Sequence, residues 1–316
     1  MTLLEIEGLN VTYATKAGPI RAVADVDVSL DTGQTLGLVG ESGCGKSTFG
    51  KAILRVLPKT ATVDGSIRFG GKDLAKARER EMQDVRGRDV SLIFQDPMTR
   101  LDPLMTVREH FMELIRAHEP DVEDDKAVER ARRVLTAVRI PPDREDQYPH
   151  EFSGGMRQRI MIALALAFNP TLLIADEPTT SLDVIVEAQI LQLLDSIKKD
   201  FEMGVVLITH NLGLVAEYAD EMAVMYAGRI VERGTVHEVF KEPLHPYTQG
   251  LLASVIDLDT TELHSIPGQP PDLLNPPSGC PFHPRCPMVM PHCSGEIPPT
   301  THPRPGRSVA CYLHPG

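Results

Sequence analysis

No stretch of this 316-residue sequence is long and apolar enough to span a bilayer. The longest apolar run, IMIALALAF at residues 160 to 168, has nine residues, about half of the ~18 or more that a span requires. The opening MTLLEIEGLN lacks a basic n-region and carries two glutamates. It does not read as a secretory signal, and the chain is expected to stay in the cytosol. Positive charge is in deficit: the formal net charge is -12, which argues against broad binding to a phosphate backbone, so nucleic acid is not expected as a partner. Tryptophan is absent, but 42% hydrophobic and 24% charged residues make an ordinary globular composition, enough for one large domain plus an appendage. Cysteine is scarce until the end: after Cys44 the remaining four all follow residue 279.

The segment LGLVGESGCGKST, residues 36 to 48, is a short apolar run followed by Gly40-x4-Gly45-Lys46-Ser47 and a stretch of helix-forming character. The pattern predicts a strand, a phosphate-binding loop and a helix. The glycines let backbone N–H groups turn inward around phosphate oxygens, Lys46 reaches the β- and γ-phosphates, and the Ser47 hydroxyl can ligate Mg²⁺. Candidate ATP contacts are therefore Gly40, Glu41, Ser42, Gly43, Cys44, Gly45, Lys46, Ser47 and Thr48. Cys44 reads as a tolerated small residue and not as a nucleophile. Far downstream, LLIADE at residues 172 to 177 is an apolar strand ending in two carboxylates. Asp176 is expected to hold Mg²⁺ and Glu177 to polarise the attacking water. The carboxyl end of a strand is where ligands sit in open α/β sheets.

Between these sites stands FSGGMRQR, residues 152 to 159. Ser153-Gly154-Gly155 resembles the signature motif of ABC transporter ATPases, and the other motifs of that family follow in its order. Tyr13 sits where the family stacks an aromatic on adenine. Gln95 in LIFQDP matches the Q-loop, TTSLD (179 to 183, with Asp183) the D-loop, and His210 in LITHN the switch histidine. Seven motifs lie in one order between residues 13 and 210. The signature departs from the usual LSGGQ at Phe152 and Met156. The resemblance implies an α/β P-loop ABC ATPase with an antiparallel β subdomain, a helical subdomain and a small C-terminal extension rich in proline and cysteine. It also implies a head-to-tail ATPase dimer, in which Ser153, Gly154 and Gly155 close over the partner's ATP. Glu177, His210, Gln95 and Lys46 are its catalytic residues, and Ser47, Gln95 and Asp176 its Mg²⁺ ligands.

The stretch PLHPYTQGLL, residues 243 to 252, followed by the cysteines, resembles the ATPase subunits of oligopeptide and dipeptide importers. That implies two separate transmembrane permease subunits, a second and related ATPase chain, an extracytoplasmic substrate-binding protein, and a peripheral place on the cytoplasmic face of the cell (inner) membrane. Nickel or another small solute is the alternative cargo, and a soluble ABC ATPase acting on nucleic acid the alternative class; the few basic residues of the tail speak against the latter. The expected domains are residues 1–240, with a helical part at about 96–160, and 241–316. His245 and Tyr247 also suit a solvent-exposed helix start. The acidic stretch at 119 to 129 reads as a solvated loop and helix start. Met98, Leu101 and Leu104 follow Gln95, where the family docks its membrane subunits, and are expected to be exposed, with ordinary packing as the alternative.

Fourteen of the 26 prolines fall in residues 267 to 316, which largely excludes regular helix or central strand there. Cys280, Cys286, Cys293 and Cys311 form the pattern C-x5-C-x6-C-x17-C. In a reducing cytosol they point to a metal before a disulfide framework. Zinc modules of four cysteines contain paired C-x2-4-C elements, whereas a cubane presents separated irons to four thiolates. Spacing alone leaves both open, with free thiols third; His283, His292 and His314 are nearby alternative ligands. The importer resemblance implies a [4Fe-4S] cluster on the four cysteines; such a cluster is expected to be structural, distant from ATP and not required for hydrolysis itself.

Overall fold

Alternation of apolar and polar side chains builds the first sheet. In the computed structural model, which describes residues 1–95, 100–179, 183–254 and 265–315, β1 (Thr2–Thr15) buries Leu4, Ile6, Leu9 and Val11. β2 (Gly18–Asp31) buries Val26, Val28 and Leu30 on the same period of two. β3 (Thr35–Val39) is buried at all five positions, as a strand covered on both faces must be, and leads into α1 (Lys46–Ile53). β4 (Ala61–Phe69) and β5 (Lys72–Asp73) complete an antiparallel sheet of order β2-β1-β4-β5.

The chain divides into two units, Met1–Lys76 with Leu207–Gly316, and Ala77–Val206. The second unit begins with α2 (Glu79–Val85) and β6 (Val90–Ile93). α3 (Val107–His118), α4 (Asp124–Ala137) and α5 (Gly154–Ala165) follow and pack on one another. α3 opens with a reciprocal cap in which Thr106 and Glu109 satisfy each other's backbone N–H. The acidic stretch is the mostly exposed loop and start of α4 that the sequence suggests. β7 (Leu172–Asp176) runs parallel to β6, with Leu92 opposite Ile174. α6 (Val184–Phe201) and β8 (Gly204–Ile208) carry the chain back toward the first unit.

Buried Glu145 braces this helical unit. Its carboxylate accepts from Arg108 of α3 at 2.5 Å and from Arg132 of α4 at 2.6 and 3.0 Å. Leu101, expected at the surface, is 5% exposed and belongs to the core, while Leu104 is 84% exposed. Met98 lies outside the described residues. Of the three apolar side chains, then, Leu101 is spent on packing.

The first unit resumes with α7 (Leu212–Tyr218), β9 (Glu221–Tyr226), β10 (Arg229–Thr235), α8 (Val236–Lys241) and α9 (Pro246–Ala253). β9 runs parallel to β3 and antiparallel to β10. The proline-rich tail then forms two short strands, β11 (Thr301–Arg304) and β12 (Arg307–Val309), and β12 pairs antiparallel with β10. Proline density suggested little regular structure here. β11 tolerates Pro303 because it is the outer strand, whose free edge needs no donor at that residue.

Candidate functional site

The phosphate loop forms where sequence and backbone demand agree. Gly45 has φ 113°, and a Cβ there would sit 2.2 Å from the Ala22 carbonyl oxygen; at Gly40 (φ 153°) it would sit 2.1 Å from that of Met225. Only glycine fits either position. Gly45 caps α1, and Gly228 donates its N–H to the Cys44 carbonyl at 2.8 Å, tying the loop to the turn after β9. Lys46 Nζ, in a buried side chain, donates to the Gly40 carbonyl at 2.7 Å and the Glu41 carbonyl at 3.1 Å. Ser42 and Gly43 form the exposed crest. Cys44 is buried, and burial pushes its thiol above the ordinary range despite Lys46, which suits an inert side chain. Tyr13, on β1, lies with its hydroxyl 3.2 Å from Thr48 Oγ1. Thr209 donates its N–H to the Leu38 carbonyl of β3 at 3.2 Å. That bond brings exposed His210 to the end of β3 that feeds the loop. The first unit thus gathers Tyr13, the loop and His210.

The second unit gathers the carboxylates. Asp176 ends β7 and is 2% exposed. Glu177, the next residue, has φ 47°, a left-handed conformation that L side chains adopt at a cost and that clusters at functional sites. Gln95 Nε2 donates to Glu177 Oε2 at 3.0 Å. Ser153 caps α5, accepting from the Met156 N–H, and Gly155 lets α5 approach α6: a Cβ would meet Val186 at 2.7 Å. The two departures in the signature share one neighbour. The Arg144 guanidinium lies 4.4 Å above the Phe152 ring and donates to Met156 Sδ at 3.5 Å, so Phe and Met serve as its packing surface. Asp183 caps α6 by accepting from Val186 N–H. Of the D-loop, residues 180–182 lie outside the described residues.

The cysteine tail belongs to the first unit. Cys280, Cys286, Cys293 and Cys311 line one small void together with His245, His283, Phe282, Met288 and Met290. Burial pushes the Cys280 thiol up to about 11, and the other three cysteines add to the rise. Cys286 and Cys311 are raised too, chiefly by burial. Among the described residues, no three His, Cys, Asp or Glu side chains are gathered to hold a single metal ion. By donor chemistry the four thiols around one void fit a thiolate-held centre.

One expectation about the extension is corrected. His245 and Tyr247 are 1% and 0% exposed, not solvent-facing: His245 Nδ1 accepts from Tyr247 N–H at 3.0 Å, capping α9 from inside, and burial pushes its imidazole down to about 3. The tail also reaches the nucleotide loop. Arg285, beside Cys286, makes a bidentate pair with Glu41 at 2.7 and 3.0 Å, and Tyr247 Oη accepts the Glu41 N–H at 2.9 Å. Residues 41 and 285 are 244 positions apart, and no local pattern announces the pairing.

Residues 23–180 match the family described as "ABC transporter", and residues 231–293 match "Oligopeptide/dipeptide transporter, C-terminal region". The chain is an ABC ATPase. It is 48% identical to the oligopeptide transport ATP-binding protein OppD of Salmonella typhimurium, over 98% of this chain and 93% of that protein. It is 46% identical to the dipeptide transport ATP-binding protein DppD of Bacillus subtilis, over 98% and 94%. Among solved structures, the dimeric structure of MJ0796, a bacterial ABC transporter cassette, superposes with a TM-score of 0.66 at 25% identity, covering 74% of this chain and 99% of that one. CbiO1 of Clostridium perfringens, part of the ABC transporter complex cbiONQ, gives 0.65 at 27%, covering 76% and 91%. An α/β ATPase with an antiparallel sheet and a helical unit is thus the fold, as the motifs imply. Among the described residues, no helix of this ATPase is long and apolar enough to cross a membrane.

Proposed function

We propose that this ABC ATPase is the ATP-hydrolysing subunit of a di- or oligopeptide importer. The observation that carries the reading is one chain joining the ATPase match at 23–180 to the importer-type extension at 231–293, with relatives named for peptide transport along nearly its whole length. Residues 1–240 act as the nucleotide-binding domain, with a helical part at about 96–160, and 241–316 as the extension. The assembly holds a second ATPase chain head to tail, two transmembrane permease subunits and an extracytoplasmic substrate-binding protein. Its ATPase subunits sit peripherally on the cytoplasmic face of the membrane.

Within that assembly Tyr13 stacks on adenine and the loop from Gly40 to Thr48 cradles the phosphates. Ser47, Gln95 and Asp176 hold Mg²⁺, Lys46 offsets charge developing on the phosphates, Glu177 orients the attacking water and His210 contacts the γ-phosphate. The Gln95–Glu177 hydrogen bond supports a shared task for those two side chains. Ser153, Gly154 and Gly155 serve the partner's nucleotide, and Asp183 borders that interface. The reconstituted transporter is expected to hydrolyse ATP faster when its binding protein is loaded with a di- or oligopeptide. Stimulation by nickel but by no peptide overturns the reading.

The four cysteines hold a [4Fe-4S] cluster in this proposal. The support is the common void that all four cysteines line. Such a centre, when bound, cross-links a segment that has few apolar side chains to bury. Anaerobically purified protein is expected to be brown, with about four iron and four sulfide per chain; colourless protein carrying one zinc and no iron removes the assignment.

A further inference from the structure

Glu41 is held at both ends by the C-terminal extension. Its backbone N–H is taken by Tyr247 Oη, and its carboxylate by Arg285. An N–H committed in this way is not offered to phosphate, so Glu41 is an anchor of the loop more than a contact of the nucleotide. The guanidinium is fully used. Besides its two bonds to Glu41, Nη1 donates to Tyr226 Oη at 3.2 Å, Nε to the Pro267 carbonyl at 2.9 Å and Nη2 to the Ile266 carbonyl at 3.4 Å. All five donors of Arg285 are matched, in a side chain 6% exposed.

The anchor is itself rigidly mounted. Arg285 ends a single 3-10 turn, His283–Arg285, that begins three residues after Cys280 and runs into Cys286. Within it, His283 N–H donates to the Cys280 carbonyl and Arg285 N–H to the Phe282 carbonyl. Phe282 packs edge-on against Tyr226 and Tyr247, with ring centroids 5.2 and 5.4 Å apart, and those two tyrosines lie 4.5 Å from each other. A continuous buried path therefore runs from the cysteine void through Phe282 and Arg285 to Glu41 and the turn that carries Lys46.

We propose that Arg285 and Tyr247 are positioning residues for ATP binding: the extension braces the phosphate loop through Glu41, so nucleotide binding and order in the cysteine tail are thermodynamically linked. The linkage is reciprocal, as any coupling of two binding or ordering equilibria must be. It goes beyond peptide import and beyond the cluster, because it rests on neither the cargo nor what fills the void. The path predicts that ATP tightens the tail, and that loosening the tail weakens ATP.

The test uses the full chain as purified. MgATP affinity is measured by equilibrium titration, and backbone amide hydrogen exchange across residues 279–294 is followed by mass spectrometry, with and without MgATP, a readout that does not require free thiols. In the native sequence, ATP is expected to slow exchange in this segment several-fold. Arg285→Gln is expected to weaken ATP binding about ten-fold, within the range typical of coupled sites, and to make the exchange rates indifferent to ATP. Arg285→Lys, which keeps the charge but not the parallel fork of two hydrogen bonds, falls between the two. Tyr247→Phe removes one hydroxyl and keeps the buried ring, so it carries the test even where Arg285→Gln does not fold; weaker ATP binding and a smaller ATP effect on exchange are expected. A merely structural role would lower stability yet leave ATP's protection of the segment intact. Exchange rates that ignore ATP in the native sequence, or Tyr247→Phe with native affinity and native protection, overturn the proposal.

Discussion

The phosphate loop and the proline-rich tail meet at Glu41, yet they are built by opposite means. The loop is local: strand β3, two glycines without room for a Cβ, and α1 follow one another within residues 35 to 53. The tail is assembled from distant partners. Arg307, 3% exposed, pairs with Glu232, 0% exposed, on β10; the same carboxylate accepts the N–H groups of Leu244 and His245 at the entry to α9. Arg285 reaches Glu41, and β12 borrows the edge of β10. A segment poor in apolar side chains is thus ordered in part by buried charge pairs with distant partners, which makes it more sensitive to single charges than the loop is.

The largest expected effect tests that sensitivity. Arg307→Met leaves the Glu232 carboxylate buried without its cation, a loss of about 3–5 kcal/mol, read as a lower denaturant midpoint. The exposed tail pair Arg304–Glu242, 58% exposed on both sides, is the control: Arg304→Ala is expected to cost about 0–1 kcal/mol. Equal costs for the two variants would show that buried charge pairs do not set the tail's sensitivity.

Next in size is a change on the catalytic side. Glu177→Gln is expected to retain ATP binding while turnover falls by about a hundred-fold or more, the contribution of a positioned base. Near-normal hydrolysis in a competent assembly removes Glu177 from that role. The same variant sharpens the comparison, because its midpoint should move far less than that of Arg307→Met.

The smallest effect lies in the helical unit, where a buried carboxylate has two partly exposed partners. Burial alone would raise the Glu145 carboxyl, but hydrogen bonds and charge from Arg132 and Arg108 outweigh it and hold it below the usual carboxylate range. A lowered folded value means that its stabilisation is present above the unfolded value of about 4.3 and is lost as pH falls through the folded one. Glu145→Gln should cost about 1–2 kcal/mol at neutral pH, since Arg108 and Arg132 are 36% and 52% exposed. Its stability should also fall less steeply on acidification, and an acid limb as steep as the native one would show that Glu145 is not the titrating group.

Much of the site was legible because its chemistry is written in short stretches. GESGCGKST dictates a loop that only glycines can turn, and LLIADE ends a buried strand in its two acids. FSGGMRQR caps a helix with Ser153, although nothing in those letters gives the Arg144 neighbour that accommodates Phe152 and Met156. Leu101 and Tyr247 were misjudged for a common reason: apolar or aromatic character says that a side chain gains by burial, not which surface will cover it.

The sequence by itself determined the phosphate loop, the acidic strand end and the Ser153 cap, since each depends on residues within about a dozen positions of one another. Tertiary structure alone decided that the tail supplies strands to a sheet begun by β3, that four thiols share one void, and that Arg285 closes on Glu41 across 244 positions. Such pairings depend on where distant elements come to rest. Their residues carry no periodicity or spacing that relates one to the other, and only the folded chain brings the donors within reach of the carboxylate.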